Sequence, residues 1–276
     1  MTTASGSKRA GAAVAAFVGG LAAWGHFEAG WVRLRELEVR LPGLPAGLDG
    51  LRIAHLSDFH LGFPSRGATA VERAVEWAAA RNPELVLVSG DLLSRRSGEQ
   101  PLRTLVTRLP NCFAVFGNHD FALSRDPFSQ PAALYDLRPA TLLTDEGRTL
   151  ELRGRRVQIV GVDPRSYRRG QSQPERLADP DADLRILLCH FPGVIDRVRP
   201  GVFDLVLAGH LHAGQVCLPW FTGRLRLSQV RWTYVRGLYR RPAGVLHVSA
   251  GLGTTFVPFR LLARPEATEL TLRSAP

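Results

Sequence analysis

Seven side chains suited to holding a metal recur in order along the chain. Asp58 and His60 lie in Asp58-Phe59-His60, and Asp91 follows Gly90. Asn118 lies in Gly117-Asn118-His119-Asp120, His190 stands alone, and Gly209-His210-Leu211-His212 supplies the last two. Carboxylate oxygens and neutral imidazoles are ligands for hard or borderline divalent cations. One residue separates Asp58 from His60, so both can turn from a strand end toward one ion. Asp91 has two oxygens and can bridge two ions. Asn118 offers a neutral carbonyl oxygen, and His210 and His212 can offer one ring to each ion. Each motif alone could be a turn or a polar loop. Their conjunction is what carries chemistry. Nothing competes as a protein nucleophile: Cys112, Cys189 and Cys217 lie in apolar segments without CxxC spacing and read as small buried hydrophobes.

Most of these groups close an apolar run. Residues 51–56, 85–88, 112–116, 184–189 and 205–208 read as buried strands, each ending at one motif. Residues 67–81 carry apolar side chains at helical spacing and stop at Asn82-Pro83. A second helix is expected over 102–109, a strand over 31–40, and a hairpin over 150–162 turning near Gly154. Late strands are expected over 245–249 and 268–272. The β-α-β-α-β order implies parallel strands. Metal ligands would then gather at their carboxyl ends, where α/β sheets build sites. The simplest architecture is two sheets face to face, helices outside, and the ligand loops along one edge.

The motifs D-x-H, G-D, G-N-H-D, H and G-H-x-H resemble the signature of the calcineurin-like metallophosphoesterases, over about residues 51–272. The strand leading into Asp58 is similar to that of the bacterial membrane-associated, YkuE-like branch. So are Gly251-Leu252-Gly253 and Pro265-Glu266. Ala213-Gly214-Gln215 departs from that branch's Gly-Gly-Gln without touching a ligand. The resemblance implies two mixed β-sheets packed as a sandwich and flanked by helices. It implies one ion held by Asp58, His60, Asp91 and His212, and a second by Asp91, Asn118, His190 and His210, with Asp91 bridging. Manganese is the expected metal, with zinc, iron and magnesium as alternatives. It implies attack on phosphorus by a metal-bound hydroxide, with His119, not a ligand, protonating the leaving oxygen or stabilising the charge on it. Asp120 would orient the His119 loop or be a turn carboxylate. His55 and His247 read as buried structural histidines.

The chain has 276 residues and a formal charge of +10, almost all of the excess being scattered arginine. It carries no zinc-finger spacing, RNA-binding aromatic signature or basic helix, so no nucleic-acid partner is expected. Lys8-Arg9 precedes an Ala/Gly-rich apolar run over residues 10–27, which reads as an uncleaved signal anchor closed by His26 at the interface. Residues 1–30 are therefore expected to anchor, and 31–276 to form the phosphoesterase domain. The location expected is a bacterial cytoplasmic membrane, the side being undecided because basic residues flank both ends. The first 40 residues should be dispensable for chemistry, unless the 31–40 strand joins the sheet. Arg165, Arg168 and Arg169, with Tyr167, are substrate-binding candidates, because arginine forks match phosphate. Trp220, Phe221, Arg224 and Arg226 are weaker ones. A lipid or small phosphorylated substrate is expected, for example a UDP-diacylglucosamine-type pyrophosphate. The alternative is a non-catalytic scaffold on the same fold.

Overall fold

The computed structural model describes residues 3–131, 134–221 and 223–275. The chain runs α1 (Thr3–Ala29), β1 (Arg33–Pro42), β2 (Arg52–Leu56), α2 (Gly67–Arg81), β3 (Leu85–Ser89), α3 (Glu99–Val106), β4 (Cys112–Val115) and β5 (Thr141–Leu142). It continues with β6 (Glu146–Leu152), β7 (Arg155–Gly161), α4 (Pro164–Arg168), β8 (Leu184–Leu188), β9 (Leu205–Ala208), β10 (Cys217–Trp220), β11 (Gly223–Arg226), β12 (Gly237–Arg241), β13 (Gly244–Val248) and β14 (Glu266–Ala275). One six-stranded sheet has the order β1-β14-β2-β3-β4-β5 and the other β12-β13-β9-β8-β7-β6, while β10 and β11 pair only with each other. Both large sheets are mixed. β2–β5 run parallel with β14 antiparallel beside β2, and β7, β8, β9 and β13 run parallel between two antiparallel edges.

Strand side chains alternate between faces, and these central strands are apolar on both. Leu85 and Leu87 of β3 enter the layer between the sheets, where Val157, Ile186, Leu188 and Leu207 meet them. Val86 and Val88 point the other way, under Val71, Ala74, Val75 and Ala78 of α2 and Leu102 and Val106 of α3. On the far sheet Leu187, Val206 and Leu246 pack outward against Val194, Ile195 and Val198. The two sheets are thus covered on both sides, and the parallel strands all deliver their carboxyl ends to one rim. Each fully buried Leu or Val contributes about 1.5–3 kcal/mol over an exposed one.

Helix α2 has the expected bounds and ends on Asn82 in the left-handed conformation, φ 47°. Helix α3 begins three residues earlier than its apolar spacing suggests and ends at Val106. Pro101 hides that start, although proline is tolerated in a first helical turn. Strands β5, β10, β11 and β12 and helix α4 had no recognised signal in the sequence.

The N-terminal expectation needs one correction. β1 pairs in parallel with β14 along ten residues, Arg33 to Pro42, so the 31–40 strand is part of the first sheet. The condition attached to the dispensability of the first 40 residues is therefore met: a cut at 40 would remove an edge strand of the sheet. The seam at residue 30 is also bridged: Glu28 is buried, and its carboxylate accepts from the amides of Leu262 (3.0 Å) and Ala263 (2.7 Å). Gly25 O accepts from Arg260 N at 3.0 Å. From Gly11 to Trp24 α1 is exposed, and Gly11–Ala29 is long and apolar enough to cross a membrane.

Candidate metal centre

Strand ends bring the seven side chains together by turning the backbone sharply. Asp58, His60, Asp91, His210 and His212 all have positive φ, between 47° and 78°. For residues with a Cβ this conformation costs about 1–2 kcal/mol each, and such strain persists where the surroundings fix it. Here they do. Asp58 N donates to Gly90 O at 2.9 Å, His60 N to Asp91 O at 3.0 Å, and Gly209 N to His190 O at 3.1 Å. Two glycines are required by close approach: a Cβ on Gly117 would lie 2.0 Å from Asp91 Oδ1, and one on Gly209 would lie 1.9 Å from Ser57 Oγ.

Ligand atoms of Asp58, His60, Asp91 and His212 all lie within 4.8 Å of one another, as do those of Asp91, His190 and His210. Asp91 belongs to both groups. Its Oδ1 accepts from His119 N at 2.8 Å. Its Oδ2 is buried without a hydrogen-bond partner, with Nε2 of His190 at 3.2 Å and Nε2 of His60 at 3.4 Å. Asn118 Oδ1 lies 3.1 Å from His190 Nε2. Ring nitrogens also face each other, His60 Nε2 to His212 Nε2 at 3.2 Å and His210 Nδ1 to His190 Nε2 at 3.1 Å. A neutral imidazole has one lone pair and one N–H, so so many acceptors in one dry space call for cations. The donor set fits divalent metal ions.

Electrostatics says the same. Burial drives His60 well below its ordinary pKa and His210 down to about 3, keeping both rings neutral. Burial works to raise Asp91, but His190, His119 and His60 hold it well below the carboxylate range. Burial works to lower His190, yet Asp91 and Asp58 carry it up to about 9. A proton on His190 answers the local negative charge; a bound cation would take that place.

The far nitrogens are tied, which aims the near ones inward. His190 Nδ1 donates to Ser89 O at 2.9 Å, and His60 Nδ1 meets Ser94 Oγ at 3.0 Å. His212 is set by Arg260, whose Nη2 lies 3.1 Å from His212 Nδ1. Arg260 is fully buried and donates to the carbonyls of Gly253, Ala250 and Ala263. Burial lowers its pKa only to about 10, so it stays charged. Ser94 and Arg260 carried no motif in the sequence; they are found only when distant loops are seen in contact.

His119 lies at the edge of both groups. Its Nε2 is 4.0 Å from Asp91 Oδ2, and its Nδ1 is 3.8 Å from Asp126 Oδ2. Burial lowers its pKa, with His212 and His190 acting in the same sense and Asp91 and Asp126 opposing. Asp126 had no signal in the sequence. It is buried and held by the amides of Phe128 (2.9 Å) and Phe256 (3.0 Å). Asp120 accepts from the amides of Gly117, Leu92 and Leu93, which ties the His119 loop to the Asp91 loop. His55 and His247 are buried behind the site, their Nδ1 atoms 2.7 Å apart.

The arginine cluster divides. Arg165 is locked on Asp163 at 2.5 Å and lies over Phe121. Arg169 is exposed and lines no cavity described. Arg168 lines a cleft of about 630 Å³ with Asn118, His210, Tyr167, Arg197 and Trp232. Arg197 was not singled out in the sequence; its guanidinium lies 4.2 Å over Tyr167.

The family model of the calcineurin-like phosphoesterases matches residues 51–214. The uncharacterized metallophosphoesterase YkoQ of Bacillus subtilis is 28% identical over 233 residues, 82% of this chain and 84% of the relative. YkuE of the same organism, also an uncharacterized metallophosphoesterase, is 27% identical over 256 residues, 90% and 88% of the two chains. A Danio rerio relative named as a transmembrane protein with metallophosphoesterase domain is 30% identical over 87% of this chain and 57% of its own length.

Proposed function

We infer the reaction from one premise: the chain belongs to the calcineurin-like phosphoesterase family and is a metal-dependent phosphoesterase. Asp58, His60, Asp91 and His212 would hold one divalent ion, and Asp91, Asn118, His190 and His210 a second. The observation that carries this reading is Asp91, which belongs to both groups and whose Oδ2 is buried without a hydrogen-bond partner. Two such ions would supply the Lewis acidity that makes water an effective nucleophile near neutral pH and offsets charge on phosphoryl oxygens. The mixed nitrogen and oxygen donors suit manganese, with zinc, iron or magnesium as alternatives.

The chain's own part is positioning and proton handling. Asp58 and Asp91 bring negative charge that a cation pair requires. His119 has its Nε2 toward Asp91 Oδ2, and Asp126 lies behind its Nδ1. With Nδ1–H turned to Asp126, a proton taken up at Nε2 faces the phosphoryl group and passes to the leaving oxygen. An arriving anion raises the pKa that burial lowers, so the ring is charged when needed. Arg168 and Arg197 in the cleft would meet phosphate oxygens beyond the bond that breaks, and Trp232 and Tyr167 would flank the group attached there.

The substrate we propose is a phosphodiester or pyrophosphate carried by a membrane lipid, a UDP-diacylglucosamine-type molecule being one example. The apolar N-terminal helix supports that choice, as does a cleft holding arginines beside aromatics. The location that follows is the bacterial cytoplasmic membrane, with residues 1–30 as anchor and 31–276 as the catalytic body. The test is turnover of purified full chain with manganese on bis(4-nitrophenyl) phosphate and on a lipid-linked UDP sugar, with metal content measured in parallel. Hydrolysis of both, the lipid at lower KM, is expected. Activity on the soluble diester alone would remove the lipid reading, and bound metal without turnover of either would favour a scaffold.

A further inference from the structure

Strands β10 and β11 form a ribbon that packs against little. Outside Cys217 its residues are exposed or half-buried, and at its tip Trp220 is 54% and Phe221 97% exposed. The segment that follows adds exposed Leu227 and Val230 before reaching Trp232, which stands edge-on to His210 at 5.9 Å. A two-stranded ribbon is marginal in water by itself, and clustered exposed aromatics on a soluble surface mark something that covers them.

The ribbon lies beside the end of α1. Arg224, cross-strand partner of Pro219 at the tip, donates to Leu262 O, and the same Leu262 donates its amide to Glu28 of α1. That end of α1 carries its own aromatic cluster, Trp24, Phe27 and Trp31, with ring centroids 5.7–6.3 Å apart. Aromatic rings at such a helix end sit at headgroup depth. The charge is one-signed as well. From residue 205 to 265 the chain carries eight arginines and neither aspartate nor glutamate.

We propose that the β10–β11 ribbon is a second membrane contact: its Trp220-Phe221 tip enters the interface of an anionic bilayer, and the arginines behind it meet lipid phosphates. The proposal rests on the membrane reading of α1 given above. Aromatic side chains with arginines behind them match the apolar-to-phosphate boundary of a lipid layer, and basic residues near an anionic surface are attracted to it. A second copy of this chain would bring the same positive charge, so charge selects the bilayer. Docked there, the segment from Leu227 to Trp232 runs from the lipid surface to the cleft mouth and would guide a lipid phosphate to His210.

The experiment uses the full chain with Phe221→Cys labelled with NBD, the native cysteines being buried, reconstituted into phosphatidylcholine vesicles with and without phosphatidylglycerol. Flotation reports whether the chain is in the membrane. NBD emission, quenching by headgroup-level nitroxide lipids and access to iodide report the tip. We expect flotation with a blue-shifted, lipid-quenched and iodide-protected probe, most strongly with phosphatidylglycerol. Flotation with an iodide-accessible probe would overturn the ribbon contact and leave the anchor standing. Failure to float would overturn both. Protection without vesicles, rising with protein concentration, would overturn it in favour of a second copy.

Discussion

The ligand loops and the segment that wraps them, residues 213–264, are built on opposite terms. The ligand loops are dry, acceptor-rich and strained: five of their residues have positive φ, and their charge is concentrated on two buried carboxylates, Asp58 and Asp91. The wrapping segment is exposed or half-buried at its described residues from Leu218 to Thr233, and along its length it carries arginine but neither aspartate nor glutamate. They meet at Arg260, the one fully buried guanidinium among the described residues, which reaches from the outer segment to His212. The difference teaches that chemistry here is held by short-range geometry, while access and support come from residues remote in sequence. Damage should therefore fall steeply from the first region to the second.

The steepest loss is expected at Asp91. Asp91→Asn removes the charge shared by both ligand groups and should release both ions and abolish turnover. Asn118→Ala removes one neutral oxygen from one group and should leave partial occupancy. Metal analysis after dialysis against manganese, with bis(4-nitrophenyl) phosphate turnover, separates them. Equal losses would remove the shared role. Thermal melting adds a second reading: ligand at about 100 times its Kd stabilises a fold by ~2.7 kcal/mol, so manganese should raise the wild-type Tm and leave that of Asp91→Asn unmoved.

His119 comes next. His119→Ala should keep both ions and lower kcat by about 10²–10⁴, the usual worth of a positioned acid. The deficit should shrink for nitrophenolate, a good leaving group that needs little proton help, and widen for an alkyl ester. Asp126→Asn should cost less than His119→Ala and follow the same leaving-group trend, because it acts through the ring. A His119 variant that loses metal would place this histidine among the ligands instead.

These two variants concern residues of unequal legibility. Asp91 and His119 stand in motifs at the ends of apolar runs, and the strands that carry them were readable because their burial is continuous. Helix α2 was readable to the residue because apolar spacing and Asn82-Pro83 agree. Asp126 and Arg260 were not. Asp126 acts across a gap to His119 and is held by Phe256, 130 positions away. Arg260 meets carbonyls that only the folded chain assembles. The β10–β11 ribbon has no sequence signal, because Cys217–Arg226 lacks the alternation that a half-buried strand shows; nearly all of its described residues are exposed. Among the arginines, composition suggested Arg165, Arg168 and Arg169 alike, and only packing distinguishes the one that lines the cleft.

Arg260 tests the junction directly. Arg260→Met fills similar volume but leaves the carbonyls of Ala250, Gly253 and Ala263 without donors, at about 1–3 kcal/mol per unsatisfied group. It also frees His212. A drop in Tm with manganese affinity weakened by about 10–100-fold is expected, the usual range for residues that orient a metal ligand. Glu28→Gln keeps one acceptor oxygen for the amides of Leu262 and Ala263 and should do less on both counts. A loss of Tm with unchanged metal affinity would make Arg260 purely structural.

The smallest effect on chemistry should come from shortening α1, provided the cut respects its last turn. A chain beginning at Trp24 keeps Gly25 O for Arg260 N, Glu28 for the 262–263 amides, and all of β1. It loses helical turns whose described residues, from Gly11 on, are exposed. Its metal content and its turnover of bis(4-nitrophenyl) phosphate should equal those of the full chain, while its rate on a lipid in vesicles should fall because anchoring no longer raises the local concentration. A chain beginning at Leu41 removes eight of the ten residues that β1 pairs with β14. It exposes the flank of β14, where the buried Leu270 and Leu272 pack against Val39. That chain should melt early or aggregate. If both truncations behave alike on the soluble ester, β1 and Glu28 are dispensable and the seam between anchor and body lies at residue 40. If the Trp24 chain alone fails, the exposed turns of α1 support the site by a contact that the fold does not reveal.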